Sequence, residues 1–290
     1  MSGLANRLLG YPPDARLLIV NADDFGMCHS VNAAIMRALT DGIVRSATLM
    51  VPCPWAQHAM RFLAERPEIR FGVHLTTISE WADYRWGPVA SREKVPSLVD
   101  RTGFFYDFDH MPELFTRLNL AELEAEFRAQ IETVLAAGLH PTHLDWHALR
   151  INSRDDVFGV MTKLALKYGL ALRVMGADRI AQIQSRGLPT NDNDFLDSYL
   201  LDPADKTARY IERLRRLPSG LNEWAIHPGL SDPELKAIDP TGHHIRQADF
   251  DFLISQEAKE TIEEEGIILL DYQALQIVWQ EKSPNLEKQI

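Results

Sequence analysis

Cysteine is scarce in this 290-residue chain: Cys28 and Cys53 are the only two, too few for a disulfide framework. Cys28 beside His29 has the look of half a zinc site, and we read it as coincidence. Positive charge is also short, with 30 Lys and Arg against 41 Asp and Glu and a formal net charge of −11. That balance argues against a nucleic-acid or anionic-membrane partner, because phosphate binding wants a basic face. The densest basic run, Arg213, Arg215 and Arg216, reads as a solvated helix face. No apolar run approaches the roughly 18 residues of a membrane span. The N-terminus lacks the charged, then apolar, then small-residue order of a signal peptide. A soluble, cytoplasmic protein is the expectation.

What is present is alternation. With 46% hydrophobic residues, short apolar runs rich in β-formers fall at 17–22, 46–51, 70–75, 142–147, 170–174, 222–227 and 267–271. Amphipathic segments separate them at 31–40, 55–64, 120–137, 156–168, 206–217, 249–265 and 272–281. Seven β-then-α units predict a parallel sheet with helices outside. Without a composition break, they favour closure into a (β/α) barrel of about seven strands, TIM-barrel-like, in one catalytic domain spanning 1–290. Residues 1–15 read as a short N-terminal extension. Gly42, Gly138, Gly169 and Gly266 each follow a helical segment and suit a left-handed C-terminal cap.

Two connections are too long to be plain barrel turns. The first, 76–119, carries Trp81, Tyr84, Trp86, Phe104, Phe105, Tyr106 and Phe108, which argue for order. It is either a lid whose rings, Trp81 and Trp86 foremost, meet a substrate, or a loop pinned to the barrel by apolar anchors. The second, 175–204, is polar around Asn191-Asp192-Asn193-Asp194 and lacks the spacing of an EF-hand, so it reads as a solvated loop.

Chemistry gathers where strands end. An apolar run delivers Asp23 and Asp24 together, and these share a site only if the chain is already leaving the strand, an exit that Phe25-Gly26 supplies. The third strand closes on His74. The fourth carries His143, Asp145 and His147 at alternate positions, hence on one face, with His147 nearest the mouth, and the sixth ends in His227. A barrel collects these ends around one opening. One carboxylate and two imidazoles, Asp24 with His74 and His147, would make a catalytic metal site with positions left open. Asp145 then either holds a ligand imidazole by its other nitrogen or is a buried acid on a backbone amide, and His143 is grouped with it behind the ligands. Arg173, ending the fifth strand, pairs with Asp23 or caps a helix. Arg246, between His244 and Asp249, reads as a surface ion pair, with substrate contact as its functional alternative. His29, His58, His110, His140, His243 and His244 read as structural.

Asn21-Ala22-Asp23-Asp24-Phe25-Gly26, Gly72-Val73-His74-Leu75, Pro141-Thr142-His143-Leu144-Asp145-x-His147 and His227-Pro228-Gly229 occur in this order, each at a strand end. Together they resemble the YdjC family of carbohydrate deacetylases, which includes the chito-oligosaccharide deacetylases. The resemblance implies a (β/α) barrel variant, a divalent cation (Mg²⁺ or Zn²⁺) and hydrolytic removal of an acetyl group from an N-acetylated sugar or oligosaccharide. It implies Asp24, His74 and His147 as ligands and Asp23 as the acid beside them. From this follows an expected mechanism in which Asp23 is the base, Arg173 holds it, and His227 protonates the departing amine. One departure stands out. Where family members commonly continue with further histidines, this chain reads His147-Ala148-Leu149-Arg150-Ile151-Asn152, so substrate contacts around Leu149 and Asn152 are expected to differ. The rivals are a carbohydrate-binding protein without catalysis and a metal-dependent phosphoesterase. A homodimer, the commonest closed assembly, is the default.

Overall fold

The computed structural model describes residues 3–149, 154–201 and 204–286. Among these residues, eight parallel strands build the sheet: β1 (Arg16–Phe25), β2 (Ser46–Leu49), β3 (Arg70–Thr76), β4 (His143–His147), β5 (Ala171–Leu172), β6 (Leu196–Asp197), β7 (Gly220–Ile226) and β8 (Ile268–Leu270). Seven follow the path β5-β4-β3-β2-β1-β7-β6, and β8 adds to β1. β1 is the hub. It pairs with β7 along Arg16↔Gly220 to Ala22↔Ile226, with β2 near its C-terminal end and with β8 at Leu17↔Ile268. Leu17, Leu18, Ile19 and Val20 are all buried, as expected of a strand covered on both faces. Each such side chain stabilises the fold by roughly 1.5–3 kcal/mol relative to exposure.

The result is an α/β, TIM-barrel-like fold, curled but open. No ladder among the described residues joins the edge strands β5 and β6, so the expected backbone closure is not made. The expected seven strands become eight because β6, only two residues long, lies inside the polar segment 175–204. That segment is also less solvated than expected. Asn191 is buried on the carbonyl of Val174, and Asp192 accepts from the amides of Ala5 and Leu221. The expected helix over 249–265 is two helices, His243–Leu253 and Gln256–Glu264. Ser255 caps the second through Ala258 N and forces the break.

Gly169 closes its helix in the left-handed region at φ 62, whereas Gly42 is extended at φ −109. Glycine is needed at 42 for space, since a Cβ there would meet the carbonyl oxygens of Ala38 and Leu253 at 2.6 Å. Gly72 in β3 is similar, with His143 Cε1 2.6 Å from where a Cβ would sit. Gly72→Ala is therefore expected to cost about 1–3 kcal/mol by overpacking, read as a lowered denaturation midpoint.

The aromatic segment 76–119 is held by apolar anchors. Phe105 and Tyr106 are buried, Ile78 bridges to Tyr106, and the Trp86 indole donates to the carbonyl of Ile78 at 2.8 Å. Glu126, from the helix Leu120–Ala136, accepts the amides of Val89 and Ala90 at 3.0 and 2.9 Å. The segment thereby becomes a wall beside the strand ends.

Candidate functional site

An irregularity in β1 brings the two adjacent acids together. Ala22 pairs with Ala47 and Phe25 with Leu49, so β1 takes three steps where β2 takes two. Asp24 sits at φ 70, a left-handed value that aspartate tolerates better than most residues. Regular alternation would send Asp23 and Asp24 to opposite faces; the extra residue cancels it. Both border one cavity of about 750 Å³ at the C-terminal ends of the strands. The chain begins to leave the strand within β1 itself, ahead of the expected Phe25-Gly26 exit.

Asp24 is the meeting point of two imidazoles. Its Oδ1 lies 3.4 Å from His74 Nε2 and 3.1 Å from His147 Nδ1, while Arg246 donates to its Oδ2 at 2.8 Å. Each histidine is gripped from behind. His74 Nδ1 donates to Asp145 at 2.7 Å, and His147 Nε2 donates to Glu80 at 3.0 Å. Asp24, His74 and His147 offer ligand atoms all within 4.8 Å of one another, and all three are buried. Burial opposes charge on both rings. For His74, Asp145 overrides it and pushes the ring up to about 10; for His147, Glu80 and Asp24 push it up to about 9. The cluster is a buried well for positive charge, and its donors, one carboxylate and two backed imidazoles, fit a divalent cation.

Asp23 is held separately. Arg173 forks onto it at 2.7 and 2.8 Å, and Asn21 donates at 2.7 Å. Burial pushes its carboxyl up, but the Arg173 guanidinium wins and keeps it well below the usual carboxylate range. The same guanidinium lies 2.8 Å from Asp145 Oδ2 and donates to Glu223 at 2.7 Å, and Tyr272 donates to the other Glu223 oxygen at 2.5 Å. Arg173 thus ties β1, β4 and β7 together from the end of β5, next to the unpaired sheet edge. Of its two expected roles, the structure has the pair with Asp23.

Opposite, His227 follows β7 with Nε2 4.0 Å from Asp23 Oδ2, its ring edge-on to Tyr199. Phe108, Trp146, Leu149 and Phe195 also line the cavity, and Phe195 packs on the Arg173 guanidinium at 5.3 Å, so apolar faces adjoin the charged groups. A larger hollow, about 860 Å³ between Asp155 and Asp194, is lined by no histidine.

The structure gathers Asp23, Asp24, His74, Asp145, His147, Arg173 and His227 at one place. Arg246 is not the expected surface pair: it is 1% exposed and reaches Asp24, because helix His243–Leu253 turns its first turn toward the strand ends. His143 is buried below the cluster, bonded to Thr142 Oγ1 at 3.0 Å and stacked on Tyr272 at 3.6 Å. Trp86 is 2% exposed and packs against the His147 ring at 6.0 Å, with Trp81 behind it. The rings bordering the cavity are others. Asn152 lies outside the described residues. Glu80, Ser198, Glu223 and Asp249 were missed as site residues; only Glu223, in the strand that leads to His227, carried a signal.

The sequence profile described as YdjC-like protein matches residues 17–264. A carbohydrate deacetylase of Thermoanaerobacter pseudethanolicus is 30% identical over 260 residues, covering 90% of this chain and 99% of the relative. Another, from Geobacillus stearothermophilus, is 36% identical over 223 residues, 76% of this chain and 82% of the relative. A crystal structure from Enterococcus faecalis V583, provisionally named a cellobiose-phosphate cleavage protein, superposes with a TM-score of 0.77 at 30% identity, over 90% of this chain and 99% of that one.

Proposed function

Because this chain belongs to the YdjC family, we propose that its cavity is the active centre of a carbohydrate deacetylase that uses one divalent cation, zinc or magnesium, to hydrolyse the amide of an N-acetylated sugar. The observation that carries this reading is the juxtaposition at the strand ends. Three ligand atoms within 4.8 Å stand beside an ionised acid, Asp23, which has an imidazole 4.0 Å away.

Asp24, His74 and His147 would hold the ion, with Asp145 and Glu80 fixing the two rings. A cation bound there would supply an acidified water and polarisation of the amide carbonyl. That chemistry suits Asp23, which Arg173 keeps ionised and therefore weakly basic; a proton given up by ordinary water would be hard for it to take. Asp23 accepts the water's proton, and His227 gives one to the amine nitrogen as the C–N bond breaks, since nitrogen leaves poorly without it. Phe108, Trp146 and Phe195 offer apolar faces to a sugar ring.

Two features weigh against the alternatives. A phosphoester would want spare cationic groups, yet Arg173 and Arg246, which border the cavity among the described residues, are both paired with carboxylates. A pure sugar-binding module has no use for the buried Asp23–Arg173–Glu223 network.

The test is acetate release from N-acetylglucosamine, its phosphate and short chitin oligomers, with and without chelator. Release that stops with chelator and returns with zinc or magnesium is expected; silence on every substrate in the presence of both ions overturns the reading. His74→Ala is expected to abolish cation binding in calorimetry, whereas Asp145→Asn should weaken it by about 10- to 100-fold, the usual cost of losing the group behind a ligand histidine.

A further inference from the structure

We propose that Ser198 and Asp249 are positioning residues that fix the proton of His227 on Nδ1 and turn Nε2 toward the reacting nitrogen. The proposal rests on the deacetylase reading, in which His227 is the acid.

Asp249, on helix His243–Leu253, is fully buried and saturated with donors. Its Oδ1 receives Tyr210 Oη at 2.7 Å and Lys206 Nζ at 2.6 Å. Its Oδ2 receives Ser198 Oγ at 2.6 Å and the backbone amide of His227 at 3.1 Å. Facing a lysine ammonium and three further donors, this carboxylate accepts only. The single hydroxyl proton of Ser198 is therefore committed to Oδ2. Ser198 Oγ also lies 2.7 Å from His227 Nδ1, and with its proton spent the oxygen can only accept there. Nδ1 must carry hydrogen, which leaves Nε2, 4.0 Å from Asp23 Oδ2, as the nitrogen that exchanges protons with the cavity.

The groups facing His227 are Asp23 from β1, Asp197 at 4.0 Å from Nδ1, Tyr199 against the ring, and the Ser198–Asp249 pair. Burying Lys206 and Asp249 together is costly. Here the arrangement sets a fixed negative charge one hydroxyl away from an imidazole that must become positive each turnover, the role that a directly bonded aspartate plays in hydrolytic triads. In the step itself, the Nε2 proton passes to the amine as the C–N bond breaks, and the neutral ring keeps its Nδ1 hydrogen.

The test is Ser198→Ala, with folding checked by circular dichroism. Nitrogen-15 spectra of the labelled protein, taken at alkaline pH without substrate, should find neutral His227 as the Nδ1–H tautomer in wild type and shifted toward Nε2–H in the variant. On a chitin oligomer, kcat should fall by about 10²-fold, the order expected for a misplaced catalytic group, with KM within twofold. A wild-type Nε2–H tautomer, or unchanged kcat in an active system, overturns the proposal. Wild type that released no acetate would sink the deacetylase reading alone, because the tautomer measurement decides the relay without it.

Discussion

Asp23→Asn is expected to bind the cation with wild-type affinity and to lose at least about 10²-fold in turnover, the usual worth of a positioned base. The substitution keeps the volume and leaves Arg173 its contacts with Asp145 and Glu223, so the scaffold around Asp24, His74 and His147 persists. What disappears is the proton acceptor. Calorimetry with zinc or magnesium and steady-state acetate release separate the two quantities. Loss of cation affinity equal to that of His74→Ala would make Asp23 a ligand and overturn the division of labour between the adjacent acids. Full turnover would remove it from the chemistry altogether.

The second large effect is on stability. Arg173 is the guanidinium that Asp23, Asp145 and Glu223 share, and all four side chains are buried. Arg173→Met keeps much of the volume and leaves those acids without their counter-charge. Breaking a buried pair in this way costs about 3–5 kcal/mol, which for a chain of this size is on the order of 10 °C in Tm. The sign of the pH dependence follows from Asp23. In wild type its carboxyl is held below its unfolded value, so it contributes stability at neutral pH that is lost only as the pH falls from the ordinary carboxylate range toward that lowered value. With the guanidinium gone, burial pushes the carboxyl up against only the weaker pull of His74 and His227, and the variant recovers relative to wild type as acid protonates the group. The Tm gap should be widest near neutrality and narrow in acid. A variant with wild-type Tm at pH 7 would mean that these acids do not need Arg173 to be buried.

Arg173→Lys divides these effects. A lysine restores one positive charge but not the fork that grips both Asp23 oxygens. Most of the lost Tm should return while turnover stays depressed, because Asp23 is then charged but loosely aimed. Thermal melts and initial rates on the same preparations check both halves.

The alternation of apolar runs and amphipathic segments was enough to read seven of the eight described strands and the main helices between them in order, because side-chain periodicity is local and the pleat enforces it residue by residue. The same locality made Asp23, Asp24, His74, His147 and His227 legible: each ends a recognisable strand, and parallel strands deliver their ends to one opening. The bulge that turns Asp24 alongside Asp23 belongs to the pairing of β1 with β2, which no stretch of one strand encodes. Glu80, Ser198, Arg246 and Asp249 sit on segments whose periodicity says nothing about direction; Glu80 and Arg246 reach the cavity, and Ser198 and Asp249 the back of His227, only because loops and helices fold back over the strand ends. Sequence by itself determined the fold class and the strand-end residues. Tertiary structure alone decided which charges surround them, since a buried charge is tolerated only where partners distant in the chain arrive to meet it.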